Sequence, residues 1–266
     1  MTRISRWIML APATLLWTFG VLIPLAFILR MSLYSSGPTT GEHRFDVLFY
    51  EPNTFTFDSF VTLFTQPYYQ RLILFTIGLA IVITVVTMLV GYLLAYSVFQ
   101  VRPAMKPLLL LLIVLPKFTN ILVFIFGLKV IFGPSGFWPV VAGEVLVLFP
   151  YAALTIAAAL ESVPKSLIDA ARGLGAKPSL AFWNVTFRLS LPGTLAAATM
   201  ILLWSLSAFL GPYLLGKPEH FTLAVEVERK VNTDLNWPLG AAMNVVLLAM
   251  SACVGYLLTR SRLRAE

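Results

Sequence analysis

Long apolar runs separated by short polar strips organise this chain. Hydrophobic spans are predicted at about residues 7 to 29, 72 to 98, 108 to 132, 139 to 160, 191 to 213 and 239 to 259. At 1.5 Å per residue, a helix of each length crosses roughly 30 Å of hydrocarbon. The ten-residue alternation of a membrane β-barrel is missing, so the expected fold class is an all-α membrane protein with six transmembrane helices. The first run, Trp7 to Leu29, is longer than a signal-peptide core and lacks a small-residue cleavage site after it, which predicts a retained anchor. Two intervening segments, about 31 to 71 and 214 to 238, are long enough for structure of their own. Phe55 to Tyr69 reads as a surface-lying helix, and Glu226, Glu228, Arg229, Lys230 and Asp234 fall in a partly helical pattern. No internal repeat breaks the 266 residues, which read as one membrane domain.

Composition agrees with that pattern. Hydrophobic residues make up 59% and charged residues 12%, half the roughly 25% of a soluble domain. The net charge of +7 could suggest nucleic acid, but its distribution argues against that. The N-terminus, the 99 to 107 and 161 to 190 loops and the C-terminus hold eleven basic and three acidic residues; the alternate loops hold seven basic and eight acidic ones. By the positive-inside rule the first set faces the cytoplasm, which places both termini inside. Cys253 stands alone, so no disulfide framework or cysteine metal site is available.

The 161 to 190 loop carries the most information. Ser166 is expected to cap a short helix with Asp169 three residues on, and Leu167, Ala171 and Leu174 form one apolar stripe. Gly173 and Gly175 should stop that helix, and Pro178 should open a second short one. An apolar knob on a loop outside the bilayer calls for a partner protein, or else lies on the membrane surface as a simple connection.

Asp169-Ala170-Ala171 with Gly175 fits the E-A-A-x-x-x-G spacing of a known family, and Ala176, Phe182, Val185, Thr186 and Pro192-Gly193 fit the stretch on its C-terminal side. On these residues the chain resembles the inner-membrane permease subunits of binding-protein-dependent ABC importers. Asp169 stands where Glu is usual, and Phe187-Arg188 where the family has Leu-Pro. Phe55 to Phe60, Pro116-Lys117-Phe118-Thr119-Asn120, Leu214-Leu215-Gly216 and Asn236 to Ala242 are similar to the spermidine and putrescine branch. The resemblance implies the type I ABC importer permease arrangement in a bacterial inner membrane. Asp169, Ala170, Ala171, Arg172, Leu174, Gly175 and Ala176 would then form an ATPase-coupling helix. It also implies a second permease subunit, identical or homologous, two cytoplasmic ATPase subunits and an extracytoplasmic solute-binding protein. ATP and magnesium would be bound by those ATPases and no cofactor by this chain. The implied solute is a polyamine, with an aminophosphonate, iron or another small polar solute as the alternative. An ion-coupled secondary carrier is the rival from another class; it calls for midplane carboxylates and an inverted repeat.

Two charges fall inside spans. Lys117, beside Pro116 and about ten residues into span three, is expected near mid-membrane, where a charge faces water or finds a partner. With Phe118, Thr119, Asn120 and Glu144 it forms the candidate translocation path. The alternatives are that Lys117 bonds carbonyls freed by Pro116, that Glu144 pairs with Lys129, and that Asn120 is interhelical glue. Gly211 to Lys217 imitates a phosphate loop but has Pro218 where the magnesium-binding hydroxyl belongs, and it is rejected. His43 and His220 read as surface histidines, and no catalytic or metal-ligating constellation is expected.

Overall fold

The computed structural model describes residues 11–12, 14–36, 50 and 54–263. Among them the ordered elements are helices. By length and composition five are long and apolar enough to cross a membrane, or six where a pair bent at a short break counts as one span. Two compact units are built from this chain, residues 1–73 with 223–250 and residues 74–222 with 251–266.

In the first unit, a span over Thr14–Met31 includes a π-turn, Thr18–Leu22, and ends in α1 (Ile23–Met31). The expected start at residue 7 lies outside the described residues. Helix α2 (Asp58–Thr65) is the helix anticipated between Phe55 and Tyr69, but it is shorter. Gln66 is extended at its C-cap, and Pro67 then opens α3 (Pro67–Gln100), so Tyr68 and Tyr69 already belong to span two. Leu63, Tyr69 and Leu72 pack with Leu223, Leu239 and Met243.

The second unit is built around α6 (Phe137–Glu161), two-thirds buried along its most apolar stretch. Leu148, Ile156 and Leu160 sit in a core with Leu79 and Ile83 of α3 and Ala197 and Ile201 of α9 (Arg188–Leu206). Small residues permit close approach: a Cβ at Gly91 would stand 2.7 Å from that of Ala152, and one at Gly193 would collide with Ala159. On α3 the outward residues Leu74, Ile81, Val85, Leu89 and Leu93 recur at helical spacing, a stripe suited to lipid or another apolar surface.

Two expectations are corrected. Span three is not one helix. It comprises α4 (Lys106–Val114), a 3₁₀ turn over Leu115–Phe118 and α5 (Ile121–Phe132), with a 92° bend. Pro116 cannot continue the hydrogen-bond ladder, and Asn120 restarts it by accepting the Leu122 amide at 2.9 Å. Asn120 is therefore a helix cap and not glue between helices. Span five also departs from its expected limits. Pro178 opens α8 (Pro178–Ala181), which passes through a π-helix, Phe182–Phe187, into α9 without interruption. Phe187 and Arg188, standing in place of Leu-Pro, let the helix continue. The helix then breaks after Leu206, and α10 (Leu210–Leu215) follows as a separate short helix.

Candidate functional site

The bend in span three creates a cavity of about 250 Å³ lined by Pro116, Lys117, Thr119, Phe124, Tyr151 and Trp204, among others. Lys117 is half-buried there. Its ammonium donates to the Val147 carbonyl and lies 4.1 Å from the centroid of the Tyr151 ring. Tyr151 in turn stacks on Trp204, centroid to centroid 5.0 Å. Pro150 sits inside α6, so the donor that a regular helix would offer to the carbonyl of Leu146 is missing. Both Leu146 and Val147 line the cavity. Of the expected path residues, Lys117 and Thr119 border this space; Phe118 is 76% exposed and points away from the packed core.

Glu144 meets a backbone partner in place of Lys129. It is buried in α6 and accepts the Gly211 amide at 3.1 Å, tying the start of α10 to the central helix. Among the described residues no ion pair joins it to Lys129. The sequence offers the opposite charge as the visible partner, whereas the actual donor is a backbone N–H that no side chain announces. Gly211 is required there because a Cβ would collide with the carboxylate. Helical geometry over Leu210–Leu215 also removes the phosphate-loop imitation.

Between α6 and α8 lies α7 (Lys165–Gly173). Its N-cap is Pro164, not Ser166, and no side chain caps it. Its end is well built: the Gly175 amide bonds the Arg172 carbonyl at 2.9 Å, and the Ala176 amide bonds the Ala171 carbonyl at 3.1 Å. This paired closure needs a left-handed residue, and Gly175 supplies it at φ +86°. Ile168 turns toward the core, while Leu167, Asp169, Ala170, Arg172 and Leu174 are exposed or partly so, Leu174 at 91%. Asp169 and Arg172 border a cavity of about 370 Å³ with Lys165, Phe99 and Phe182. Lys106 pairs with Glu161, joining the start of α4 to the end of α6.

His220 is no free surface residue. Its ring lies 6.1 Å from those of both Phe75 and Phe137, and its Nδ1 accepts the Lys217 amide at 3.3 Å. Sequence reasoning missed Tyr151, Trp204, Leu146 and Val147. The one available signal was Pro150 inside an apolar run, which weakens a helix where a polar ligand or side chain can be met.

This arrangement, long spans with an intervening helix–glycine–helix segment and no catalytic cluster among the described residues, has the fold of ABC importer permeases. The chain aligns with a subunit of a bacterial ABC transporter that imports the acidic polysaccharide alginate at a TM-score of 0.72, covering 96% of this chain and 94% of that one at 16% identity. It aligns with the MetNI methionine ABC transporter at 0.60, covering 74% and 97% at 17% identity. Residues 87–264 match the family described as binding-protein-dependent transport system inner membrane component, and the chain belongs to that family. The spermidine/putrescine transport system permease protein PotB of Haemophilus influenzae is 27% identical, over 91% of this chain and 89% of that protein. The trehalose transport system permease protein SugB of Mycobacterium tuberculosis is 27% identical over 69% and 66%. The chain is thus a membrane permease subunit of a binding-protein-dependent transport system and not an enzyme.

Proposed function

We propose that this permease forms half of a translocation pathway for a polyamine delivered by an extracytoplasmic binding protein. A second permease subunit completes the path, and two cytoplasmic ATPases drive it through the 161 to 190 segment. The observation that carries the coupling role is Leu174, bare at 91% exposure on a helix whose end is fixed by the Gly175 turn. With Leu167 also exposed on the same short helix, Leu174 leaves an apolar stripe that this chain does not cover, the kind of surface a partner's groove takes up. The excess of basic residues on this side supports its cytoplasmic placement, with both termini on the same side.

On this reading ATP binds better to the closed ATPase pair, and that difference shifts the permease between its two states. The solute-binding protein would dock on the opposite side, against the 31 to 71 and 214 to 238 segments. The polyamine assignment is supported by the PotB relatives, which cover most of the chain, and by the ammonium-accepting surroundings of Lys117.

Two measurements test it. Replacing Leu174 with Glu, or Gly175 with Val, is expected to abolish both ATPase co-purification and ATP-dependent uptake; survival of both overturns the coupling role. In the complete complex with its binding protein, spermidine or putrescine should stimulate ATP hydrolysis. Stimulation only by trehalose, an aminophosphonate or ferric ion overturns the polyamine assignment.

A further inference from the structure

We infer that the cavity at the bend of span three is a primary alkylammonium site whose occupant, in this conformation, is the chain's own Lys117. A lysine side chain is a tethered 4-aminobutyl group, the unit that makes up putrescine and one end of spermidine. Its ammonium takes what such a group needs: the Val147 carbonyl as acceptor and the face of Tyr151 at 4.1 Å as a π-surface. Trp204 backs that ring at 5.0 Å, holding it in place. Pro150 adds to the site, since it withholds the amide that would otherwise engage the Leu146 carbonyl, one residue from Val147 on the same cavity wall. The Glu144 carboxylate acts on this ammonium through space and makes no hydrogen bond to it, so direct recognition falls to the carbonyl and the aromatic face. Such a site holds a cation weakly enough to let it go again, as a conduction path requires.

The tether decides the consequence. A solute ammonium can take the Val147 carbonyl and the Tyr151 face only when Lys117 leaves them, so the lysine is an internal competitor for those two contacts between transport events. Lys117 stands near the end of the 3₁₀ turn that begins at Leu115, next to the bend, so a change in the bend moves its anchor directly. As a step in solute passage this inference rests on the polyamine reading; as a pocket for alkylammonium it can be tested without it.

The experiment uses the assembled transporter with Lys117→Ala, Lys117→Met and the pair Lys117→Ala with Tyr151→Leu. The probe is n-butylammonium chloride, with sodium butyrate as the control for chain length without the cation. Expected is a rise in the thermal unfolding midpoint of Lys117→Ala with n-butylammonium and none with butyrate. The wild type, whose site is filled, should show no rise, and the double variant should lose it. No rise in Lys117→Ala, or an equal rise in the wild type, overturns the inference. Lys117→Met keeps the aliphatic bulk, so its folding is protected. In it the putrescine concentration giving half-maximal ATPase stimulation should fall roughly tenfold, the scale of a cation–π contact released to the solute. If the wild type responds to putrescine and Lys117→Met gives the same half-saturation, the competitor role is overturned while the polyamine reading stands. If the wild type responds to no polyamine, that reading falls, and the butylammonium arm alone decides the pocket.

Discussion

The Glu144 carboxylate and the Gly211 amide meet at 3.1 Å, 67 residues apart in sequence. One buried acid thereby supplies the acceptor for a helix start that follows a broken span. Removing it strands a buried donor at a cost of about 1 to 3 kcal/mol. Glu144→Ala is therefore expected to lower the thermal midpoint of the purified complex, and Glu144→Gln, which keeps an oxygen at the same place, to restore most of it. Equal losses in Ala and Gln variants would assign the effect to charge instead.

Glycines in α3 should divide sharply. Gly91 faces Ala152 across the helix contact, and any Cβ there meets both its side chain and the Ala153 backbone, whereas nothing lies within 4 Å of a Cβ at Gly78. Gly91→Leu is expected to lose folded, membrane-extracted protein, because overpacking typically costs about 1 to 3 kcal/mol or more. Gly78→Leu should be recovered near the wild-type yield. The ratio of the two, by fluorescence-detected size exclusion, checks the packing.

In the 214 to 238 segment, helix α11 (Leu223–Asn232) ties itself together through charge. Buried Glu226 accepts from the Tyr68 hydroxyl at 3.0 Å, with Arg229 and Lys230 at 3.6 and 3.7 Å, and Lys230 reaches Asp234 at 2.5 Å. Burial alone would push the Lys230 ammonium down, but the hydrogen bond to Asp234 and the neighbouring negative groups outweigh it and hold the ammonium above the usual lysine range. A raised folded value means the contribution is complete below the unfolded lysine pKa and is lost as pH rises through the folded one. Alkaline unfolding of the wild type should therefore steepen above about pH 10.5, and Lys230→Met should flatten that limb. Identical alkaline limbs would refute the linkage.

Among the residues of positive φ, Gly175 and Leu235 stand in opposite situations. Gly175 at φ +86° closes α7 without strain, so Gly175→Ala should cost about 1 to 2 kcal/mol. Leu235 at φ +53° carries that cost already and is 41% exposed, so Leu235→Asn should stabilise by up to about 1 kcal/mol. Chemical denaturation of the two variants in detergent should shift in opposite directions.

The legibility of each feature depends on the kind of signal its residues carry. Spans two and four are continuous apolar runs, and α3 and α6 cover them. Span three is equally apolar in sequence, yet Pro116 and Asn120 are a stop and a start only four residues apart; hydrophobicity cannot register a bend whose two arms are both greasy. The C-terminal end of α7 is legible because Gly173, Gly175 and Pro178 are local punctuation. Its N-terminus is not, since Pro164 at the N-cap leaves Ser166 within the first turn. Tyr68 and Glu226 meet across 158 residues, and a single sequence records no such distance.

The continuous helix from Pro178 to Leu206 has a bearing on register. Its 29 residues make a rod of about 43 Å, and the π-helix within it accommodates an added residue, turning the downstream face by about 100° relative to an unbroken α-register. That phase shift belongs to the azimuth at which Gly193 meets Ala159 and Trp204 meets Tyr151. Deleting one residue between Phe182 and Phe187 would therefore return that turn to α geometry and keep the far end on the same neighbours, whereas a deletion in the α-helical stretch after Arg188 would turn it away by about 100°.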